Sequence, residues 1–159
     1  MSVDEQTRDQ ITVPPPVVLA GAAGVQALIM RKRKATAGSR VAAAVIAAAS
    51  AGLAAWAIVT LRGHGTTLTP EHPERTTHLV TDGPFAYTRN PVYLALTGLL
   101  VAHAVRKRSF AALLPAVGFA AVVDRTQVPR EERALRARFG RRFTKYRRSV
   151  PRWLGEPEG

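Results

Sequence analysis

Long apolar runs alternate with short polar segments along this chain of 159 residues. The longest run, VAAAVIAAASAGLAAWAIVTL at residues 41–61, contains no charged residue. It matches the roughly 20 residues that a helix needs to cross the core of a bilayer. An earlier run, which leads from residue 13 to the basic cluster RKRK at residues 31–34, is just long enough to span as well. The first part of the chain therefore predicts two membrane helices.

Two shorter apolar runs follow at residues 91–105 and 109–123, and only the basic triplet RKR separates them. Each run alone is short for a full crossing, although helical flanks on both sides would lengthen it. We expect a tight helical hairpin whose basic turn reaches the membrane interface. Pro115 is expected to kink the second arm of this hairpin.

The C-terminal segment, PREERALRARFGRRFTKYRRSVPRWL from residue 129, has a different pattern. Its apolar positions are spaced by four, four, three and four residues, which places them on one face of a helix. Arginine and lysine dominate the opposite face, so the pattern predicts an amphipathic helix that lies on a membrane surface. Gly140 is expected to bend or break this helix. The apolar positions are Leu135, Phe139, Phe143, Tyr146 and Val150.

Together these elements predict an all-α fold, a polytopic membrane helix bundle of about four transmembrane helices with an amphipathic C-terminal helical cap. The chain divides into a polar N-terminal segment at residues 1–13, a transmembrane bundle at residues 14–128 and a basic amphipathic segment at residues 129–159. Within the bundle, residues 62–90 form a polar loop that we expect to be cytosolic. The N-terminal segment is expected to be mobile or to lie on a surface.

The composition excludes some kinds of chemistry and indicates where in the cell the protein lies. The chain has no cysteine, which excludes disulfides, thiolate catalysis and cysteine-ligated zinc. Its net charge of +12 suits an anionic lipid surface or nucleic acid. The apolar stripe of the C-terminal segment favours the membrane, so we expect no nucleic-acid partner. The abundance of alanine, valine and arginine hints at a bacterial source, and we therefore expect an integral protein of the bacterial inner membrane.

The distribution of charge bears on orientation. With four crossings, the N-terminus, the polar loop and the C-terminal segment share one side of the membrane and hold most of the lysine and arginine. That side is expected to be cytoplasmic. The basic clusters at residues 31–34 and 106–108 favour the opposite orientation.

The stretch TDGPFAYTRNPVYLA at residues 81–95 opens the third apolar run with polar residues. Asn90 is a favoured N-cap and Pro91 suits the first position of a helix, so a helix start accounts for these two. It does not account for Arg89, which either reaches lipid phosphates or binds an anionic ligand group at the helix N-terminus. Tyr87 and Tyr93 are either interfacial residues or aromatic faces for a bound cation.

Two adjacent acids, Glu131 and Glu132, occur in an otherwise basic segment. They either stabilise the first turn of a helix that starts near Pro129, or they contribute to a polar site where the last membrane arm emerges. Asp124 and Arg125 are interpreted as a pair at the membrane boundary.

The four histidines match no metal-binding pattern, and carboxylates are sparse, so no metal site is expected. His64, His72 and His78 lie in the polar loop, where one of them is a candidate general base. His103 lies near the hairpin turn.

Two segments, TDGPFAYTRNPVYLA and EERALRARFGRRFTKYRRSVPRWL, resemble in this order the integral-membrane methyltransferases related to isoprenylcysteine carboxyl methyltransferase and the phospholipid N-methyltransferases. The resemblance covers residues 61–153. It departs from the family pattern at Asn90, where histidine is usual, and at Phe143, where tyrosine is frequent. Asn90 therefore lacks an imidazole for acid–base chemistry, although its amide donates and accepts hydrogen bonds. The matching positions are Gly83, Phe85, Tyr87, Arg89, Asn90, Pro91, Tyr93, Glu131, Glu132, Leu135, Phe139, Gly140, Phe143 and Tyr146.

The resemblance implies S-adenosylmethionine as methyl donor, bound at the cytosolic membrane face between the last two membrane arms and the C-terminal segment. Arg89 would pair with a carboxylate, and one of the two glutamates would accept hydrogen bonds from the ribose or the ammonium group. Tyr87 and Tyr93 would face the sulfonium, and an aromatic ring of the C-terminal segment would cover the adenine. The catalytic residues implied are Arg89, Asn90, Tyr93 and Glu132. The cofactor-binding residues implied are Gly83, Tyr87, Arg89, Pro91, Tyr93, Glu131, Glu132, Phe139 and Tyr146.

The methyl acceptor is expected to be a lipid or a lipophilic small molecule that enters from the bilayer, and the oligomeric state is open. Two alternatives compete with this function. A membrane reductase of the sterol-reductase type would use a nicotinamide cofactor, for which the cytosolic segments are short. A non-catalytic membrane protein whose basic tail binds anionic lipid would need neither Arg89 nor the two glutamates.

Overall fold

The computed structural model describes residues 13–65 and 78–157. Within these ranges the chain forms five α-helices and a short 3-10 helix, and it contains no strand, which confirms the predicted all-α membrane bundle. The elements are α1 (Pro15–Ile29), α2 (Ala37–Gly63), the 3-10 helix (Gly83–Ala86), α3 (Pro91–Arg106), α4 (Leu113–Phe139) and α5 (Arg141–Ser149). The predicted N-terminal segment up to residue 12 and the middle of the polar loop, residues 66–77, lie outside the described residues.

The first four helices form the bundle. Helix α3 packs against α2 and α4, and α1 packs against α4 and α3. The largest cluster of buried side chains joins α3 to α4, and the residues in it are Tyr93, Leu100, Ala116, Phe119, Val123 and Val128. We call the end with the α1–α2 turn (residues 30–36) and the α3–α4 turn (residues 107–112) the turn end. The opposite end, where α3 begins and α5 lies, is the site end.

Helix α2 is the clearest membrane helix of the described chain. It has 27 residues, and among the described helices it alone is both long enough and apolar enough to cross a bilayer by itself. Its N-terminus is fixed by a capping box, in which Thr36 and Ser39 each accept a hydrogen bond from the other's backbone N–H. Large apolar side chains such as Val41, Val45 and Val59 are about two-thirds exposed, as expected for a helix that faces lipid.

The shorter apolar helices α1 and α3 have 15 and 16 residues. Helix α4 has 27 residues, but only its first half is apolar. The predicted hairpin is present as α3, a turn and α4, which pack against each other. The number of complete crossings stays a prediction.

Two expectations about proline were wrong. Pro115 does not kink α4, because it is the third residue of that helix, where the missing backbone N–H has no helical partner to lose. Pro129 was expected to open a new segment but lies inside α4, which continues ten residues further to Phe139. The apolar and charged halves of α4 are therefore one helix, and the boundary between residues 128 and 129 is not a helix end.

The break expected at Gly140 is present. Gly140 has φ of +50°, a left-handed conformation that favours glycine, and it separates α4 from α5. The apolar stripe continues across this break: Phe143, Tyr146 and Val150 are buried, and Leu135 and Phe139 pack against them.

The stripe does not face a membrane surface, which corrects the sequence expectation. Leu79 and Phe85, from the polar loop and the 3-10 helix, cover it instead. The cap thus has a protein partner for its apolar face, and its arginine-rich face is left outside.

Candidate functional site

The residues before α3 bind the C-terminal segment. Asn90 occupies the N-cap position and Pro91 the first helical position, as predicted, but the Asn90 side chain makes no capping hydrogen bond. Its Nδ2 instead donates to the carbonyl oxygen of Arg152 at 3.0 Å. The Thr88 hydroxyl donates to the same oxygen, also at 3.0 Å. The start of α3 therefore holds residues that follow α5.

Arg89 joins three parts of the molecule from a buried position, with 3% of its side chain exposed. Its Nη1 donates to the carbonyl oxygens of Arg147 at 2.9 Å and Val150 at 3.3 Å, which lie at the end of α5. Its Nη2 lies 3.1 Å from Oε1 of Glu132 on α4. Its backbone N–H donates to the carbonyl of Pro151 at 2.9 Å. The guanidinium therefore satisfies carbonyls at a helix C-terminus while it pairs with a carboxylate.

Glu132 also pairs with Arg152, which returns to the bundle after α5. Nε of Arg152 donates to Oε1 at 3.3 Å and Nη2 donates to Oε2 at 3.0 Å, a bidentate arrangement. Nη1 of Arg152 reaches Oδ1 of Asp124 at 3.3 Å, and the indole N–H of Trp153 donates to the same oxygen at 2.9 Å. Arg89, Glu132, Arg152 and Asp124 form a network of two cations and two anions, which we call the ionic network.

Glu131 faces a second set of partners. Tyr93 of α3 donates its hydroxyl to Oε1 of Glu131 at 2.7 Å, and Nε2 of Gln127 donates to the same oxygen at 2.9 Å. Burial raises the pKa of the Glu131 carboxyl above its usual range, and the hydrogen bonds from Tyr93 and Gln127 oppose that rise.

The positions of the two glutamates decide between the two sequence interpretations. Helix α4 begins at Leu113, so Glu131 and Glu132 lie far from its first turn and do not stabilise a helix start. The interpretation as a helix-start pair is therefore wrong. Both carboxylates belong to the polar contact between α3, α4 and the C-terminal segment.

Two of the predicted cofactor-binding residues, Tyr87 and Gly83, lie away from these polar groups. Tyr87 is 68% exposed, and its ring centroid is 6.3 Å from that of Trp56 on α2. Gly83 has φ of +56°, and a Cβ atom there would lie 2.8 Å from Oγ1 of Thr60. Gly83 thus provides a close approach between the 3-10 helix and α2.

The two aromatic candidates of the C-terminal segment belong to the apolar core of the cap. Tyr146 is buried and donates its hydroxyl to the carbonyl oxygen of Phe85 at 2.7 Å, while Phe139 packs beside it. Burial raises the pKa of the Tyr146 phenol. The structure therefore brings together Arg89, Asn90, Pro91, Tyr93, Glu131 and Glu132, and it places Gly83, Tyr87 and Phe139 elsewhere. Tyr146 lies in the core of the cap, within electrostatic reach of Arg89.

Sequence reasoning missed Asp124, Arg152 and Trp153. Asp124 was interpreted as a boundary partner of Arg125, but it pairs with Arg152 and Trp153 instead. One signal was available, because Asp124 precedes Glu131 by seven residues and Glu132 by eight, which places the three acids on one helical face. No local pattern marks Arg152 or Trp153, since their roles depend on how the chain returns after α5.

Within the described residues, no group of three or more His, Asp or Glu side chains is arranged to hold a metal ion. Of the loop histidines, His64 has an oriented ring, since its Nε2 lies 3.0 Å from Oδ1 of Asp82. This contact holds the pKa of Asp82 below its usual value. His72 lies outside the described residues, and a base role for any histidine stays a prediction.

Comparison with known proteins gives one match. No curated protein and no solved structure matches the chain significantly. Residues 39–142, more than half of the chain, match the sequence profile described as phospholipid methyltransferase. The matched range runs from the first turn of α2 to the second residue of α5, and it contains Arg89, Tyr93 and both glutamates. The resemblance expected from the motifs is confirmed, and this all-helical membrane methyltransferase belongs to the phospholipid methyltransferase family.

Proposed function

We propose that the chain transfers a methyl group from S-adenosylmethionine to a lipid-like acceptor at the site end of the bundle. The observation that carries this proposal is the Glu131 carboxylate. It sits beside Tyr93 in a largely buried polar cluster, in which Tyr93 and Gln127 both donate to its Oε1. Membership of a methyltransferase family supports the reaction class.

The polar groups at the site end fit the chemistry of the cofactor. Oε2 of Glu131 is suited to accept from the cofactor's ammonium group or from a ribose hydroxyl. The Tyr93 ring and the carboxylate beside it favour a nearby sulfonium cation. When bound, S-adenosylmethionine supplies an electrophilic methyl group on that sulfonium.

Arg89 and Glu132 act as positioning residues in this proposal. Arg89 binds Glu132 and two carbonyls at the end of α5, and Glu132 also binds Arg152. These contacts hold the C-terminal segment against the start of α3. The chain thereby orients the reacting groups and excludes water from them, which is where methyl transfer gains much of its rate.

The acceptor is proposed to be a lipid headgroup or another lipophilic molecule. The site end continues directly into apolar helices whose side chains face outward, for example Leu99 on α3 and Val122 on α4, both about two-fifths exposed. A bilayer lipid beside these helices would place its headgroup near the level of Tyr93 and Glu131. Because the site end holds more lysine and arginine than the turn end, we propose that it faces the cytoplasm.

The test is a binding titration with the protein in lipid nanodiscs. Calorimetry would measure binding of S-adenosylmethionine and of its demethylated product to wild type, Glu131→Gln and Tyr93→Phe. Asp82→Asn is the matched control, because it removes a carboxylate at the same end that is 63% exposed. We expect saturable binding that Glu131→Gln weakens about tenfold, or by about 1.4 kcal/mol.

The Tyr93→Phe variant should weaken binding less than Glu131→Gln, and the control should stay within about twofold of wild type. Folded wild type that binds neither compound would overturn the proposal. Equal weakening by Asp82→Asn would show that the effect comes from net charge and not from the Glu131 site.

A further inference from the structure

The turn end of the bundle carries a surface that the proposed function does not use. Two turns that are far apart in the chain meet there: the Ser39 hydroxyl donates to the carbonyl of Arg106 at 2.9 Å, and Nζ of Lys107 donates to the carbonyl of Arg33 at 3.2 Å. The basic side chains on and beside these turns are Arg31, Lys32, Arg33, Lys34, Arg40, Arg106, Lys107 and Arg108. We call them the turn-end cluster.

No carboxylate of the described chain neutralises this cluster. The described acids are at the site end or in the C-terminal segment, and they are Asp82, Asp124, Glu131, Glu132 and Glu156. None of the eight cations forms a salt bridge with a described residue, and all but Lys107 are exposed. A surface with one sign of charge raises its own electrostatic energy, so an external anion that binds there would be stabilised.

Hydrogen bonds of Gln26 hold together the part of the bundle beneath the cluster. Gln26 is fully buried, and its Nε2 donates to the carbonyls of Leu100 at 2.9 Å and Ala112 at 2.7 Å. Its Oε1 lies 3.1 Å from Nδ1 of His103. One side chain of α1 is thus bonded to α3 and to the α3–α4 turn, and it joins the turn end of α1 to the hairpin.

The apolar side chains around the cluster indicate the chemistry of its partner. Exposed apolar side chains lie directly beside the cations: Leu28 is 73% exposed, Phe110 is 89% exposed and Leu114 is 71% exposed. Such side chains are stable against acyl chains, and cations at their border lie at the level of lipid phosphates. Nucleic acid would leave this apolar border in water.

From this arrangement we propose that the turn-end cluster binds the anionic headgroup of a membrane phospholipid, with cations from both turns contacting one phosphate-bearing headgroup. The site requires both turns, because the contacts of Ser39 with Arg106 and of Lys107 with Arg33 bring the cations of the two turns together. It lies at the opposite end of the bundle from Glu131 and is independent of methyl transfer.

The test measures lipid retention by native mass spectrometry. The full chain is released from nanodiscs that contain equal amounts of phosphatidylglycerol and phosphatidylcholine. One variant carries Arg31→Gln, Lys32→Gln and Lys34→Gln, and a second carries Arg106→Gln, Lys107→Gln and Arg108→Gln. The matched control removes three exposed cations of α5 by Arg141→Gln, Arg142→Gln and Lys145→Gln.

Wild type should retain phosphatidylglycerol in preference to phosphatidylcholine. Either turn variant should lose about fivefold or more of the retained phosphatidylglycerol, while the α5 control should stay within about twofold. Circular dichroism and gel filtration check that each variant is folded, and raising the salt concentration should weaken retention by wild type.

Two results would overturn the proposal. Equal retention of both lipids by wild type would show that the cluster is only solvated. An equal loss in the α5 control would show that net charge, and not the joined turns, determines retention.

Discussion

The two ends of the bundle join their helices with different chemistry. At the site end, opposite charges meet across α3, α4 and the C-terminal segment, as in the contact of Arg89 and Arg152 with Glu132. At the turn end the neutral amide of Gln26 joins the helices through hydrogen bonds to backbone carbonyls, and the cations lie on the surface. The helices of the bundle are therefore joined by ions at one end and by an amide at the other.

The difference is informative because buried ion pairs contribute little net stability once the desolvation of each ion is counted. Removing charges from water costs several kcal/mol for each ion, and the attraction between them roughly offsets that cost. A neutral amide satisfies the same number of carbonyls with a smaller desolvation penalty. Ions at the site end are therefore better explained by the need to hold charged groups in place than by stability alone.

The largest expected effect comes from breaking the ionic network. Arg89→Ala removes one of the two arginine partners of Glu132 and leaves two carbonyls at the end of α5 unsatisfied. The free energy of unfolding, measured by denaturant titration in detergent, should fall by about 3 kcal/mol or more. The control Arg125→Ala removes an exposed arginine at the same end and should change it by about 0.5 kcal/mol or less.

A loss from Arg89→Ala no larger than that of the control would show that the network contributes little to docking of the C-terminal segment. Hydrogen exchange of α5 separates the possibilities, because undocking would raise the exchange of residues 141–149 while α2 remained protected.

The second effect concerns the turn end. Gln26→Leu keeps the approximate shape of the side chain but removes its bonds to the carbonyls of Leu100 and Ala112 and to His103. The free energy of unfolding should fall by about 1–3 kcal/mol. Binding of S-adenosylmethionine should be unchanged, because the two ends are fastened independently. Weakened binding in the folded variant would contradict that independence.

The smallest effect on stability is expected from the exposed pair of His64 and Asp82 at the site end. The contact with His64 lowers the pKa of Asp82 from its ordinary value of 3.8. A depressed pKa means that the pair stabilises the fold above pH 3.8, and that this contribution is lost as the pH falls through the lowered value. Because both side chains are exposed, the contribution should stay below about 1 kcal/mol.

Thermal unfolding of wild type and Asp82→Asn at pH 6 and pH 3 checks this expectation. The variant should be slightly less stable than wild type at the higher pH, and the difference should shrink at the lower one. A difference in stability that grows as the pH falls would show that protonation of Asp82 does not weaken the pair.

Much of this molecule follows from its sequence because the signals are local. Apolar runs identify the helices of the bundle, Pro91 marks the start of α3, and Gly140 marks the end of α4. The motifs around Arg89 and Glu132 also identify residues that meet in the structure. In each case the deciding interaction lies within one helix turn or within one recognisable motif.

What could not be predicted depends on tertiary contacts. Pro129 looks like a helix start, but packing of α4 against α3 carries the helix through it. The stripe that ends at Val150 has the pattern of a surface helix, yet Leu79 and Phe85 cover it. Arg152 and Trp153 join the site only because the chain turns back after α5, and no periodic pattern encodes that return.

The most direct test of the central claim follows the methyl group itself. Purified protein in nanodiscs made from bacterial lipid extract would be incubated with S-adenosylmethionine that carries a tritiated methyl group. We expect label in the lipid-soluble fraction with wild type and with Asp82→Asn, and at least about tenfold less label with Glu131→Gln. Folded wild type that transfers no label to any lipid-soluble acceptor, or a Glu131→Gln variant as active as wild type, would contradict it.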